Sequence, residues 1–478
     1  MKHLKTIISH CTLLSIGLSF LLVISCNHKP VKGMIILTET VENLPDINYV
    51  TGNSWRYLPQ SRIVAINRDK PFESIKMLTN GFYSSCAPEV SWDGRHMLFA
   101  AQMKKGEPWS IFEMNLDNFN TRQLTHLKES CTDPAYLPGG RAVFSKAPAK
   151  DTTGAGHALY TCNLDGSDLK QITFHPHSDF ASTILADGRI LAISRQLYPQ
   201  MGEPMLFVMR PDGTKGDLFY EGAGRTTLSS RAWEDEEGNI FFIESDSRNP
   251  KEGNIICIKQ NRPLHSRVNL TSDLKGDFHS VFPIKSGKLL VSYRASDNER
   301  YGLYEFDIKT RQLGKPLYSD QKFNLVDAIV SQEYARPKKL PSEVDLGVKT
   351  GLLLCQNVNF LDAQTMGSAS SRKKICKIEV LGLTKSLGIV KVEEDGSFYL
   401  KAFADSPIRI QALDENGKVI YGRCAWIWLR PNERRGCIGC HEDPELSPDN
   451  RVPIAVKKAP VIIPVLIKKI GEKEVELE

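Results

Sequence analysis

Apolar positions along most of the chain fall in short β-rich runs set between glycine-centred turns. His96 to Ala100, Ala142 to Ser145, Ile190 to Ser194, Ile240 to Glu244 and Leu289 to Tyr293 are examples. Short apolar runs bounded by turn residues predict strands. The turns recur: Ser91-Trp92-Asp93-Gly94-Arg95, Leu137-Pro138-Gly139-Gly140-Arg141, Leu185-Ala186-Asp187-Gly188-Arg189, Glu236-Glu237-Gly238-Asn239 and Lys285-Ser286-Gly287-Lys288. Their glycines at 94, 140, 188, 238 and 287 are 46 to 50 residues apart. Each turn feeds one strand and a second pair follows, as in Ser110-Ile111-Phe112-Glu113-Met114 and then Gln123-Leu124-Thr125. Four strands per such period is the size of one propeller blade. A two-sheet sandwich imposes no such period.

Five periods cover roughly residues 86 to 320, and segments 33 to 80 and 325 to 360 are also strand-like, in Ser61 to Ile66 and in Gly351 to Cys355. One split blade closing the ring from both ends makes six blades and two make seven; six is the expectation. Ala335-Arg336-Pro337-Lys338-Lys339-Leu340-Pro341-Ser342 reads as an exit linker. From Lys374 the runs shorten, with turns at Glu394-Asp395-Gly396 and Asp414-Glu415-Asn416-Gly417, which suggests a small β-sandwich. The fold class is therefore all-β: a six-bladed propeller, then a sandwich. The boundaries expected are 1–25 leader, 26–335 propeller, 336–373 linker and closing strand, 374–430 sandwich, 431–445 a cysteine-bearing segment, and 446–478 an unassigned tail.

The leader changes the picture of where this protein works. Lys2 and Lys5 precede an almost wholly apolar stretch, Thr6 to Ile24, that ends in Val23-Ile24-Ser25-Cys26. This is a secretory pattern. A small residue followed by Cys resembles the bacterial lipobox, in which Cys26 is acylated after cleavage, in preference to an uncleaved membrane span. The expectation is a lipoprotein on the periplasmic side of a membrane. The formal charge of +5 includes the two leader lysines, and no clustered basic face suggests nucleic acid. Of the eleven cysteines, seven (86, 131, 162, 257, 355, 376 and 424) have no assigned role. Cys86 with Cys131, and then Cys376 with Cys424, are the pairs to examine for a disulfide.

Cys437-Ile438-Gly439-Cys440-His441 carries the chemistry. In the c-type haem signature two thiols add across porphyrin vinyl groups, and the adjacent histidine falls under the iron. Cys437, Cys440 and His441 are thus the cofactor residues, with His441 the iron ligand and one haem c per chain. A zinc site would need a second ligand pair, and no other CxxC, CxxH or HxxxH occurs. A thioredoxin-like pair would want a βαβ setting, and a plain disulfide would leave His441 idle.

The segments Glu394-Asp395-Gly396-Ser397-Phe398, Ala404-Asp405-Ser406-Pro407, Gln411 to Gly417 and Arg430-Pro431-Asn432-Glu433-Arg434-Arg435-Gly436-Cys437-Ile438-Gly439-Cys440-His441-Glu442 resemble proteins related to the hydrazine synthase alpha subunit. The Asp-Gly turns and Gln-Leu-Thr ends resemble the Tol-associated six-bladed propellers. The first resemblance implies a six-bladed propeller, a β-sandwich and c-type haem. The synthase subunit carries more than one haem, whereas this chain has a single attachment motif, so hydrazine synthesis does not carry over.

The sixth iron ligand is open: His175, His177, His279, His126, His96 and several methionines are available, and any one histidine is more often a surface or turn residue. Phe174 to Phe180 lies between blades, in a loop that could face a docked domain, which makes His177 the candidate. Trp426 and Trp428 read as core aromatics. Three functions fit: mono-haem electron transfer with redox protein partners, a haem oxidoreductase acting on a small nitrogen compound, and a propeller binding module with a structural or sensory haem. Ligation state separates them.

Overall fold

The computed structural model describes residues 31–465 except 42, 45, 150–154, 223, 361–373 and 440–449. The leader, Cys26, Cys440, His441 and residues 466–478 thus lie outside the described residues. There is no α-helix among those described, and no helix long and apolar enough to cross a membrane.

Six antiparallel sheets follow one another through the first domain. Their inner strands are Ser84–Val90, Cys131–Leu137, His177–Ile184, Thr226–Leu228, Asp277–Ile284 and Asn324–Val330. Each sheet has four strands, and one gains Trp233–Glu234 beside Asn239–Asp246. The last sheet is split: Asn324–Val330 pairs with Ile35–Thr40, which pairs with Ser61–Ile66 and then Lys76–Met77. Both ends of the domain meet in one sheet, which leaves no open edge between the first and last units.

The strand expected to close the ring, Gly351 to Cys355, does not do so. Asn324–Val330 takes that place, and its residues are mostly buried, as an innermost strand packed on both faces requires. Thr350–Cys355 instead alternates half-buried and buried residues, the pattern of a sandwich strand with one inward face, and it belongs to the second domain. That domain stacks two sheets of four strands. One runs in the order Arg434–Cys437, Thr350–Cys355, Phe398–Phe403, Val461–Ile463; the other Ser386–Lys391, Lys377–Leu381, Arg409–Leu413, Val419–Tyr421. Leu353, Ile378, Val380, Leu400 and Ala412 fill the space between them. Part of the unassigned tail is therefore structural, because Val461–Ile463 adds in parallel to Phe398–Phe403.

The inner propeller strands carry bulges at matching places, after Cys86, Thr132, Phe180 and Phe278. Ala87, Asp133 and Ala181 hold positive φ at the first three, and Asp327 holds it at the matching irregularity of Asn324–Val330. A bulge re-aims a side chain, and the one at Asp133 turns its carboxylate into the central channel between the inner strands, onto Arg56 and the Ala181 amide. The segment between Ile35–Thr40 and Ser61–Ile66 crosses this channel: Trp55 donates to the Ser229 carbonyl at 2.7 Å, Tyr49 to that of Leu228 at 2.8 Å, and Arg56 forks onto the buried Asp133 carboxylate. Asp133 also accepts the Ala181 amide at 2.8 Å. Arg231 crosses from another sheet to Glu89 at 2.6 Å. Buried charges are tolerated because each is paired and further hydrogen-bonded.

Candidate haem-attachment site at the propeller–sandwich junction

The motif enters along a strand whose position is set by parallel pairing. Leu352, Leu353, Leu354 and Cys355 stand opposite Arg434, Arg435, Gly436 and Cys437. The ladder continues past the strand end, since Gln356 N–H donates to the Cys437 carbonyl at 2.9 Å and Asn357 N–H to that of Ile438 at 3.1 Å. Cys437 is half-buried and packs against the sandwich core that contains Cys355. Gly439 sits so close to the Phe360 carbonyl that a Cβ would lie 2.1 Å from its oxygen. A partly exposed thiol at a strand end, followed by a residue that must lack a side chain, fits covalent attachment at Cys437. Cys440 and His441 lie outside the described residues.

Glu433 anchors the approach. It is fully buried; its Oε1 accepts the Lys215 amide at 2.8 Å, and its Oε2 accepts the Arg430 amide at 2.7 Å. Arg435 Nε lies 3.0 Å from the same Oε1 and reaches the Gly216 carbonyl with Nη1 at 3.2 Å. Arg430 donates to the Asp212 carbonyl at 3.0 Å and to Asp405, and covers Phe174 at 4.7 Å. Burial holds the Asp405 carboxyl above its usual range, against the pull of Arg430. Sequence reading picked out Arg430 to Arg435 for the family resemblance but missed this anchoring role, because an Arg-Pro-Asn-Glu-Arg-Arg run looks like a solvated turn. The one available signal was a lone acid among three arginines directly ahead of the motif.

The histidine segment does meet the second domain. His175 and His177 stack at 3.9 Å with their planes 10° apart, and Trp428 stands edge-on to His175 at 4.7 Å. His175 Nε2 lies 2.9 Å from Asp179. Ser194 donates to Asp179 at 2.7 Å, so its oxygen accepts from His177 Nδ1 at 3.0 Å. That leaves the Nε2 of His177 as a lone pair. Burial, and then the neighbouring His175, hold the His177 pKa well below its usual value. His175 Nδ1, His177 Nε2 and Trp428 Nε1 are buried without a partner among the described residues. Trp426 donates to the Tyr198 carbonyl at 3.0 Å, so both tryptophans pack across the junction. The other histidines are elsewhere: His279 is in the channel beside Tyr301, His96 lies on the strand His96–Gln102, and His126 is exposed. Among the described residues no group of three metal-ligating side chains is assembled, and no disulfide is formed.

A propeller docked on a β-sandwich whose edge strand delivers a CxxCH segment defines the class: a two-domain β protein with a candidate cofactor-attachment edge. A hydrazine synthase alpha subunit middle domain matches residues 354–442. Hydrazine synthase subunit alpha of Kuenenia stuttgartiensis is 24% identical over 80% of this chain and 63% of its own length. The chain thus spans less than two thirds of that relative. The solved Kuenenia stuttgartiensis hydrazine synthase superposes with a TM-score of 0.75 at 21% identity, over 89% of this chain and 71% of that one. TolB from Acinetobacter baumannii gives a TM-score of 0.42 at 13% identity, over 61% and 66%. Through this middle domain and the shared fold, the chain is related to the hydrazine synthase alpha subunit.

Proposed function

We propose that this chain is an exported, lipid-anchored protein that holds one c-type haem through Cys437 and Cys440, with His441 as the proximal ligand, and passes electrons within a redox complex. The observation that carries the reading is the seating of Arg434–Cys437 in a fixed parallel register at the sheet edge, tied to the propeller through Glu433. When bound, the haem supplies one-electron chemistry at its iron. The chain's own residues hold the attachment segment rigid, while the propeller offers a broad docking surface. Cys26 would carry the lipid, and two or more acyl chains on one residue anchor stably.

The test is protein matured in a host competent for c-type haem attachment. Haem that survives denaturation and stains on a gel, lost in Cys440→Ser, supports the reading; zinc or no cofactor ends it. A second reading, oxidation or reduction of a small nitrogen compound, draws on the relation to hydrazine synthase subunit alpha. A five-coordinate high-spin spectrum that changes with nitric oxide or hydroxylamine favours that reading. A six-coordinate low-spin spectrum favours electron transfer.

A further inference from the structure

Cys355 and Cys437 are directly opposite each other on neighbouring parallel strands, and both side chains face the sandwich core. Neighbouring strands lie about 4.8 Å apart. A disulfide accepts Cα separations of about 4.4–6.8 Å. Arg434–Cys437 is the edge strand of its sheet, paired on one side only among the described residues, so the opposed side chains can adjust toward disulfide geometry without disturbing a further strand. Cys355 is buried and Cys437 half-buried, so an external oxidant meets Cys437 first.

From this register we infer that, before any cofactor is attached, Cys437 forms a disulfide with Cys355, and that this bond guards the attachment thiol. The inference rests on the haem reading for its purpose but not for its chemistry. The Cys437 thiolate attacks the disulfide of a thiol–disulfide oxidant, forming a mixed disulfide and releasing one thiolate. The Cys355 thiolate then attacks the Cys437 sulfur and expels the second. Two thiols are oxidised, and two electrons and two protons pass to the oxidant. A thioether at Cys437 requires the thiol, so attachment demands prior reduction and leaves Cys355 reduced.

The experiment uses full-length protein exported from a host without haem attachment, oxidised with glutathione disulfide, alkylated and mapped without reduction. A Cys355–Cys437 cross-linked peptide is expected, retained in Cys440→Ser and absent in Cys355→Ser. In haem-matured protein Cys355 should instead be fully alkylated. Cys437 found joined to Cys440 or another cysteine, or alkylated after oxidation, overturns the inference. The wild-type and Cys440→Ser maps decide it even where Cys355→Ser fails to fold. A cross-link in protein that never acquires covalent haem sinks the haem reading alone; covalent haem without the cross-link sinks only this inference.

Discussion

The carboxylate of Glu433 in the second domain accepts the backbone N–H of Lys215 in the first at 2.8 Å, with no exposure to solvent. A buried acid that caps two amides and pairs with Arg435 ties the domains together; removing it strands all three partners. Glu433→Ala should destabilise the fold by about 3–5 kcal/mol and Glu433→Gln by less. The linker should become the first site of proteolysis, because its contacts, such as Lys338 N–H to the Ala186 carbonyl at 3.0 Å, depend on the docked geometry. Equal protease resistance in both variants and wild type would show that the tie is incidental.

Gly439 makes the motif's own spacing testable. A methyl group there would meet the Phe360 carbonyl oxygen at 2.1 Å, against backbone that cannot swing aside. Gly439→Ala should therefore displace the chain that leads into Cys440 and His441, cutting covalent haem yield severalfold, while Ile438→Ala leaves it near wild type. Haem absorbance per polypeptide measures both. Equal yields would mean that the turn is not what positions the second thiol.

The repeat was legible because a blade is local: each glycine turn and its flanking runs fall within one period. The Gln-Leu-Thr and Gln-Ile-Thr ends were legible for the same reason, and Thr125 and Thr173 each accept from the backbone of the neighbouring strand. What closes the ring was not. Asn324–Val330 and Thr350–Cys355 are equally apolar, and only pairing with Ile35–Thr40 or with Phe398–Phe403 tells them apart. Non-local pairings leave little trace in a single strand's pattern. The junction was half legible: the loop of His175 was expected to face a docked domain, and Trp428 now lies on it. Glu433 and Lys215, more than two hundred residues apart, were not.

The anchor is tested apart from the haem. The Val23 to Cys26 sequence predicts that intact protein labels with palmitate and partitions into detergent, and that Cys26→Ser loses both. A soluble, unlabelled product that keeps its N-terminus would overturn the lipoprotein reading.

The channel should give the fold two opposed pH responses. Burial pushes Glu89 up to about 7, against the pull of Arg231, while burial lowers His157 to about 4, against Asp133 and Asp179. Glu89 also faces Tyr136 and Tyr334, and His157 faces Tyr57 and Lys146. A raised carboxyl binds more protons folded than unfolded, so its contribution is complete below the ordinary value of 4.5 and is lost as pH rises through about 7. A lowered imidazole binds fewer, so its contribution is complete above 6.5 and is lost as pH falls through about 4. Between these limits the two slopes partly cancel in the wild type. Glu89→Gln should expose the histidine's response, with urea midpoints that climb from pH 4 to 6.5. His157→Gln should expose the opposite fall from pH 4.5 to 7. Each swing should amount to about 3 kcal/mol. Midpoints that track pH identically in both variants would show that neither group is held away from its ordinary value by the channel.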